Sequence, residues 1–340
     1  MAQVLLFSLS GPHKIMGRVE RDAMMMQKTI KNEISAKGLG LHSGRDIYIT
    51  LKPAPVNSGI AFRRVDLIDA TAIKAVPENV TSTTLATTLG HGENRVSTVE
   101  HLMAALSALG VDNLRVETDG PELPVFDGSA SEWARLLNEA GLMELNTPRK
   151  VLKVTRPYKF TCGDKSVEVR PAGRFSVEAH IDFGGAIGRH CFYYVDSDQA
   201  FVKEISRSRT FCQLKDVEMM HSQGLALGGS LDNAVVVGDD GILNPDGLRY
   251  DDEFVRHKIL DFIGDMAMAG APVVGHFIIR KPGHELNRRF LVSALAQPGL
   301  LEESVAGVEK SKRREAAKNS RRLISRLSLS LDDVLTPAGL

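Results

Sequence analysis

Cysteine is scarce in this chain: three in 340 residues, Cys162, Cys191 and Cys212, an odd number with no Cys-x-x-Cys spacing. That excludes a disulfide framework and a cysteine zinc knuckle, and it suits a reducing cytoplasm. Neither sign of charge is in excess, since 42 Lys and Arg balance 42 Asp and Glu. Proteins that hold nucleic acid through bulk charge carry a basic surplus, so no nucleic-acid partner is expected. Long apolar runs are also missing. None approaches the ~20 residues needed to span a bilayer, and the N-terminal MAQVLLFSLSG has no basic residue ahead of its short apolar stretch, which makes a poor secretory signal. What remains, 43% hydrophobic and 25% charged residues, is ordinary globular composition. At ~150 residues per domain the length suggests two domains.

Patterned sequence begins only after Met24, Met25 and Met26, so residues 1–25 read as an N-terminal extension, expected to be disordered. DIYITL, residues 46–51, alternates as a half-buried strand does. Residues 97–109 look helical, with apolar positions at Val99, Leu102, Met103, Leu106 and Leu109 and a stop at Gly110. A strand, a loop and a second helix, SEWARLLNEAGL, complete a first domain over 26–147, with NTPRK around Thr147 as a linker. Domain II, 148–299, repeats the rhythm and carries an apolar, glycine-bearing insert, 211–237. Both halves mix strands with about two helices. The expected class is therefore α+β, two domains of similar fold, although no sequence repeat is visible. In the tail, 300–340, the segment Lys310–Arg326 holds eight basic residues and one acid. It reads either as a solvated tail or as a helix making weak peripheral contact with an anionic membrane.

The strongest internal signal is an apolar helix expected over Asp251–Gly270. His257, Asp261 and Asp265 fall on it at i, i+4 and i+8, one face of a helix. Such a polar row among apolar neighbours is costly unless something satisfies it. Either His257 and Asp261 hydrogen-bond each other on a wet face, or the two donate a nitrogen and an oxygen to one divalent cation. A third donor is available in STVEH, residues 97–101. His101 faces Ala104, Ala105 and Ala108, small side chains that let another element approach closely. Glu100 beside it has two readings. Ser97 and Glu100 match a capping box, or Glu100 is the base that takes a proton from a metal-activated water. His284, in KPGH after the strand Gly275–Arg280, is a candidate acid that Asp265 could keep charged. Its other reading is a plain loop histidine.

GLGLHSG, LKPAPVNSGI, STVEHLMAALSALGVDN, PELPVFDGSA, ISRSRTF, GLALGGSLDNAVVV, LNPDGLRYDDEFVRHKILDFIGD and KPGHELN together resemble the UDP-3-O-acyl-N-acetylglucosamine deacetylases, zinc amidases of lipid A biosynthesis. The likeness covers about Gln27 to Ala296. It implies a two-domain α+β sandwich, helices packed against sheets in a ribosomal-protein-like fold, with the active site at the domain interface. It implies hydrolysis of the acetamide of UDP-3-O-[(3R)-3-hydroxyacyl]-N-acetylglucosamine to the free amine and acetate, by a cytoplasmic monomer holding one Zn2+, with Fe2+ as the other candidate metal. The implied ligands are His101, His257 and Asp261. Glu100 would be general base, His284 general acid, Asp265 its orienting carboxylate, Thr210 a hydroxyl at the reacting oxygen and Lys258 an active-site lysine. Lys165, Asp182 and Phe183 would lie near the sugar nucleotide. The insert after Phe211 would hold the acyl chain, with Leu225, Leu227 and Leu231 in its lining. Ser166 and Gln213 depart from the residues usual in the family. Two other readings are a zinc amidase of different substrate and a non-enzymatic nucleotide- or RNA-binding module.

Overall fold

The structure is a computed structural model that describes residues 24–197 and 199–307. The expectations for most of the N-terminal extension and for the basic segment 310–326 lie outside these residues. The chain divides into two units, Gln27–Ser304 and a smaller one made of Met1–Met26 with Val305–Leu340. In the smaller one Met25 N–H donates to Ala306 O.

Two five-stranded sheets share one plan. The first has the order Ile34–Leu39, Asp46–Pro53, Leu114–Thr118, Ile60–Arg64, Ile73–Lys74. The second runs Tyr158–Cys162, Lys165–Arg170, His276–Arg280, Ser176–Asp182, Arg189–Val195. In each sheet the successive pairings are antiparallel, antiparallel, parallel and antiparallel. The duplication that the sequence does not display is thus present in the topology. A parallel pair needs a long crossover, usually helical. In the first sheet that crossover carries α1, Glu100–Leu109, and α2, Ser131–Ala140, follows the last strand. The second half adds α3, Leu214–Ser222, places α4, Glu253–Met266, in its crossover and ends on α5, His284–Leu295. Each crossover also contains a three-stranded sheet ahead of its helix: Val80–Ser82, Thr88–His91 and Asn94–Val96 in the first, Phe211–Gln213, Val235–Gly238 and Gly241–Ile242 in the second.

The residues explain these elements. Asp46–Pro53 buries Ile47, Ile49 and Leu51 and turns Asp46 and Tyr48 outward, as period-2 alternation requires. α1 stops where Gly110 takes a left-handed φ of 73°, a conformation that Gly adopts without a Cβ penalty. α2 buries Trp133, Leu136 and Leu137 and leaves Arg135 outside between Glu132 and Glu139. α4 is different, with Phe254, Val255, Ile259, Leu260, Phe262 and Ile263 all buried. A helix this heavily apolar has to sit inside, and each such side chain contributes ~1.5–3 kcal/mol on leaving water. α4 packs against α1, α5 and the second sheet, within one apolar cluster that takes in residues of both halves.

Several expectations shift. Thr147 lies in the strand Leu142–Pro148, which pairs with Met26–Ile30, not in a free linker. The start of the expected tail is structured, because Leu301–Val305 joins the sheet of Lys150–Val154 and Val273–Val274. His284 is not a loop histidine: it is the first residue of α5, after an extended Gly283. The insert after Phe211 contains helix α3 as well as strands.

Candidate metal centre and its acid–base neighbours

The two crossover helices meet at their functional residues. Gly264 of α4 lies against the first turn of α1 so closely that a Cβ there would stand 2.1 Å from the Glu100 carbonyl oxygen. This approach brings His101 on α1 to His257 and Asp261 on α4, and candidate ligand atoms of all three fall within 4.8 Å of one another. Asp261 Oδ1 is the common point, 3.3 Å from His257 Nε2 and 3.7 Å from His101 Nε2. All three residues are at most 3% exposed.

The donors are prepared for a cation. His257 Nδ1–H donates to Ser208 O at 3.1 Å, which leaves the Nε2 lone pair facing Asp261. Burial holds His257 down to about 3, so the ring is neutral near pH 7. Burial opposes ionisation of Asp261, but His257, Lys258 and His101 outweigh it and hold the carboxyl well below its ordinary value. Lys258 Nζ takes Asp261 Oδ2 at 2.7 Å. Asp261 Oδ1 is buried with no hydrogen-bond partner, and so is His101 Nδ1. An orphaned carboxylate oxygen facing two imidazole nitrogens is expensive by itself. The same N, N, O set matches what a tetrahedral zinc site uses while keeping a position open.

Glu100 precedes His101 on α1, where adjacent residues project about 100° apart, and its carboxylate stands beside His284. The helix begins at Glu100 itself, with Val99 before it, so Glu100 is not three residues past a Ser97 cap and the capping box is absent. Ser97 Oγ instead accepts from Thr88 Oγ1 at 2.9 Å. Thr98 is held at φ 57°, an outlier for a β-branched residue and a local strain. It redirects the chain just ahead of the helix. Thr87 N–H donates to Glu100 Oε2 at 3.0 Å. The other oxygen, Oε1, lies 3.8 Å from His284 Nε2. Burial raises the Glu100 carboxyl, against the pull of His284 and His101.

His284 is fixed from its other side. Its Nδ1–H donates to Asp265 Oδ2 at 2.9 Å, and Asn287 Nδ2 donates to the same oxygen at 2.8 Å. Thr87 Oγ1 donates to Asp265 Oδ1 at 2.8 Å and stands 3.3 Å from His284 Nδ1. Burial disfavours the imidazolium, but Asp265 first, then Asp261 and Glu100, lift His284 to about 10. The Glu100 carboxyl, raised by burial, and the charged His284 thus sit side by side, the pairing that general acid–base chemistry needs.

The surrounding residues are placed less tightly. Phe211 stands edge-on 6.2 Å from His257 and 5.3 Å from Phe183, with Lys258 Nζ 5.2 Å from its ring. Thr210 before it is held through its backbone, N–H to Gly128 O and O from Val235 N–H, each 2.8 Å. Lys165 shares a cavity of about 300 Å³ with His284, Cys162 and Arg289. Asp182, next to Phe183, pairs with Arg189 at 2.9 Å. Leu225 lines a different cavity, about 510 Å³, with His42, Ser43 and Glu122. Leu227 and Leu231 are 54% and 40% exposed.

Sequence reasoning overlooked three supports. Thr87 touches Glu100, Asp265 and His284 at once, yet it sits in STTLATT without any pattern. Ser208 supplies only a carbonyl. Glu253, fully buried, accepts from Arg209 Nε at 2.9 Å and from Arg209 N–H at 2.9 Å, pinning the segment that presents Ser208 and Thr210. From the sequence Glu253 reads merely as an acid near a helix start.

The sequence profile of the UDP-3-O-acyl N-acetylglycosamine deacetylase family matches residues 27–297. The UDP-3-O-acyl-N-acetylglucosamine deacetylase of Myxococcus xanthus is 47% identical over 283 residues, 83% of this chain and 90% of that protein. That of Acidithiobacillus ferrooxidans is 48% identical over 275 residues, 80% and 90%. That of Teredinibacter turnerae is 49% identical over 271 residues, 79% and 89%.

Proposed function

The chain belongs to the UDP-3-O-acyl N-acetylglycosamine deacetylase family, and from that premise we propose how its residues cleave the acetamide of UDP-3-O-[(3R)-3-hydroxyacyl]-N-acetylglucosamine. The enzyme is an amide-cleaving hydrolase of lipid A biosynthesis and a metalloenzyme. Membership sets aside the reading as a nucleic-acid-binding module. The observation that carries the mechanism is the convergence of His101, His257 and Asp261 beside the Glu100–His284 pair.

Zn2+ suits this donor set, two imidazole nitrogens and one carboxylate oxygen. Bound there, it would supply Lewis acidity, bringing a water toward pKa ~7 and polarising the amide carbonyl. Fe2+ suits the same donors, and availability decides between them. The chain's residues do the rest. Glu100 Oε1 takes the proton of the attacking water, because Oε2 is already occupied by the Thr87 amide. His284 Nε2 delivers a proton to the departing amine, since Asp265 keeps the ring charged and turned. Lys258 neutralises Asp261 Oδ2 and lends positive charge to the site. Thr210 adds a hydroxyl to the same wall, beside Phe211.

Lys165 binds the sugar nucleotide from the cavity it shares with His284. Asp182 and Phe183 do so from the end of their hairpin, Phe183 leaning on Phe211. The acyl chain lies along the insert, whose Leu214, Met219, Leu227 and Leu231 are exposed apolar surface. The reaction takes place in the cytoplasm, a placement supported by three unpaired thiols. No helix among the described residues is long and apolar enough to cross a membrane.

The test is acetate release from the substrate by the purified enzyme, with metal content measured before and after chelation. Loss of both on chelation and recovery with Zn2+ is the expected result. Full turnover in metal-depleted enzyme would overturn the assignment.

A further inference from the structure

The outer face of the second sheet carries another cluster of ligating side chains. Along Ser176–Asp182 the residues Val177, Ala179 and Ile181 are buried in the core. Alternation therefore turns Glu178 and His180 to the opposite face, two residues apart on the same side. In the antiparallel pairing with Arg189–Val195, Cys191 stands directly across from His180, where side chains are in contact range. His180 Nε2 is 2.7 Å from Glu178 Oε1 and 4.0 Å from Cys191 Sγ. Ligand atoms of all three lie within 4.8 Å of one another.

We propose that Glu178, His180 and Cys191 form a second divalent transition-metal site, separate from the His101–His257–Asp261 centre, which staples the two strands of this hairpin. With bonds of ~2.0–2.3 Å to N, O and S, neighbouring donors of a tetrahedral zinc ion stand roughly 3.3–3.7 Å apart. The distances of 2.7 and 4.0 Å bracket that range, so small rotamer adjustments close the site without moving the backbone. A thiolate, an imidazole and a carboxylate select Zn2+, Co2+ or Ni2+ over Mg2+ and Ca2+, which prefer all-oxygen ligands. The fourth position opens to solvent, because Cys191 is exposed and His180 and Glu178 are about one-third exposed. Arg280 lies across from His180 on the next strand. Thiolate and carboxylate together cancel a dication, so this guanidinium faces no net positive charge. The site lies two residues before Asp182, on the hairpin that offers Asp182 and Phe183 to substrate.

The two centres differ in a way that spectroscopy separates. The first has only nitrogen and oxygen donors, so a thiolate-to-cobalt charge-transfer absorption reports cysteine ligation alone. The purified holoenzyme is titrated with Co2+. The expected result is a near-ultraviolet charge-transfer band that saturates at one equivalent per chain and disappears on adding Zn2+. It is lost in Cys191→Ser and reduced at least several-fold in His180→Ala and Glu178→Gln. All three variants keep their first-centre metal and their deacetylase rate. No band under excess Co2+, or a band that survives Cys191→Ser, overturns the proposal. So does a band unchanged in both His180→Ala and Glu178→Gln, which would mean a thiol acting alone. None of these outcomes bears on the deacetylase mechanism.

Discussion

Gly264→Ala tests whether the closeness of the two crossover helices sets the metal geometry. The added methyl carbon would lie 2.1 Å from Glu100 O, 2.8 Å from its carbonyl carbon and 3.1 Å from its Cα. Contacts to a Cβ shorter than 3.0 Å do not persist, and these are backbone atoms that no rotamer change can move. The helices must part by roughly 1 Å at this level. Stability registers the change only mildly. Overpacking costs ~1–3 kcal/mol, while replacing a mid-helix Gly by Ala returns about 1 kcal/mol of helix propensity. The net loss is therefore ~0–2 kcal/mol, a few degrees of melting temperature in a protein of this size. Function registers it heavily. Metal-ligand bonds tolerate about 0.2 Å, and a 1 Å misplacement of catalytic groups costs on the order of 10²-fold in rate. His101 moves with α1 while His257 and Asp261 stay on α4. The expectation is reduced metal content after dialysis and kcat/KM down about 100-fold, in a protein whose thermal unfolding is nearly unchanged. Metal analysis, acetate release and calorimetry on one preparation decide it. Wild-type metal content with wild-type turnover would refute the geometric argument.

Glu100→Ala and His257→Ala should separate base from ligand. The first keeps its metal and loses ~10²–10⁴ in kcat, whereas the second loses metal on dialysis; equal metal loss in both would mean that Glu100 is itself a ligand. Thr87→Val removes the hydroxyl from Asp265 and His284 but keeps the amide to Glu100, so the pH–rate profile should shift on the limb set by the acid, with metal content unchanged. An unaltered profile would make Thr87 packing only. Glu253→Ala leaves Arg209 buried and unpaired, which should cost ~3–5 kcal/mol in denaturant unfolding; a loss below ~1 kcal/mol would show that water reaches the pair. Asp127 bonds Arg249 at 2.7 Å. Burial would raise its carboxyl, but Arg249 and Ser129 more than offset this and hold it below its ordinary value. A depressed folded-state value gives stability that is fully present above the unfolded value of about 3.9 and fades as pH falls through the folded one. Wild type should therefore lose more stability than Asp127→Asn between pH 5 and the acid limit, by up to ~1 kcal/mol for a partly exposed pair. Parallel curves would show that the pair contributes nothing.

The residues of the site were legible to different depths. His257, Asp261 and Asp265 could be read because helical spacing puts them on one face, and burial of everything around them made the row conspicuous. His101 was legible as a donor without a partner. Glu100 was ambiguous: Ser97 three residues earlier offers a cap, and only the true helix start, one turn-defining bond away in Val99–Met103, removes it. Thr87 was invisible, because a threonine bonding three groups through one hydroxyl and one amide leaves no trace in local pattern. His284 was legible as a candidate acid, but a Gly followed by a His gives little sign of the helix start it forms.

By itself the sequence determined the elements and their faces: which strands alternate, where α1 ends, that the body of α4 is heavily apolar, and which residue types can hold a metal or carry a proton. These follow from local sterics and from apolar periodicity, both of which act over a few residues. Only the tertiary structure decided that two crossover helices from repeated sheets touch at Gly264, that His101 shares Asp261 Oδ1 with His257, and that Glu100 faces His284. Those are distances between residues more than 150 positions apart. They are set by how two sheets and their helices pack, which no local pattern encodes.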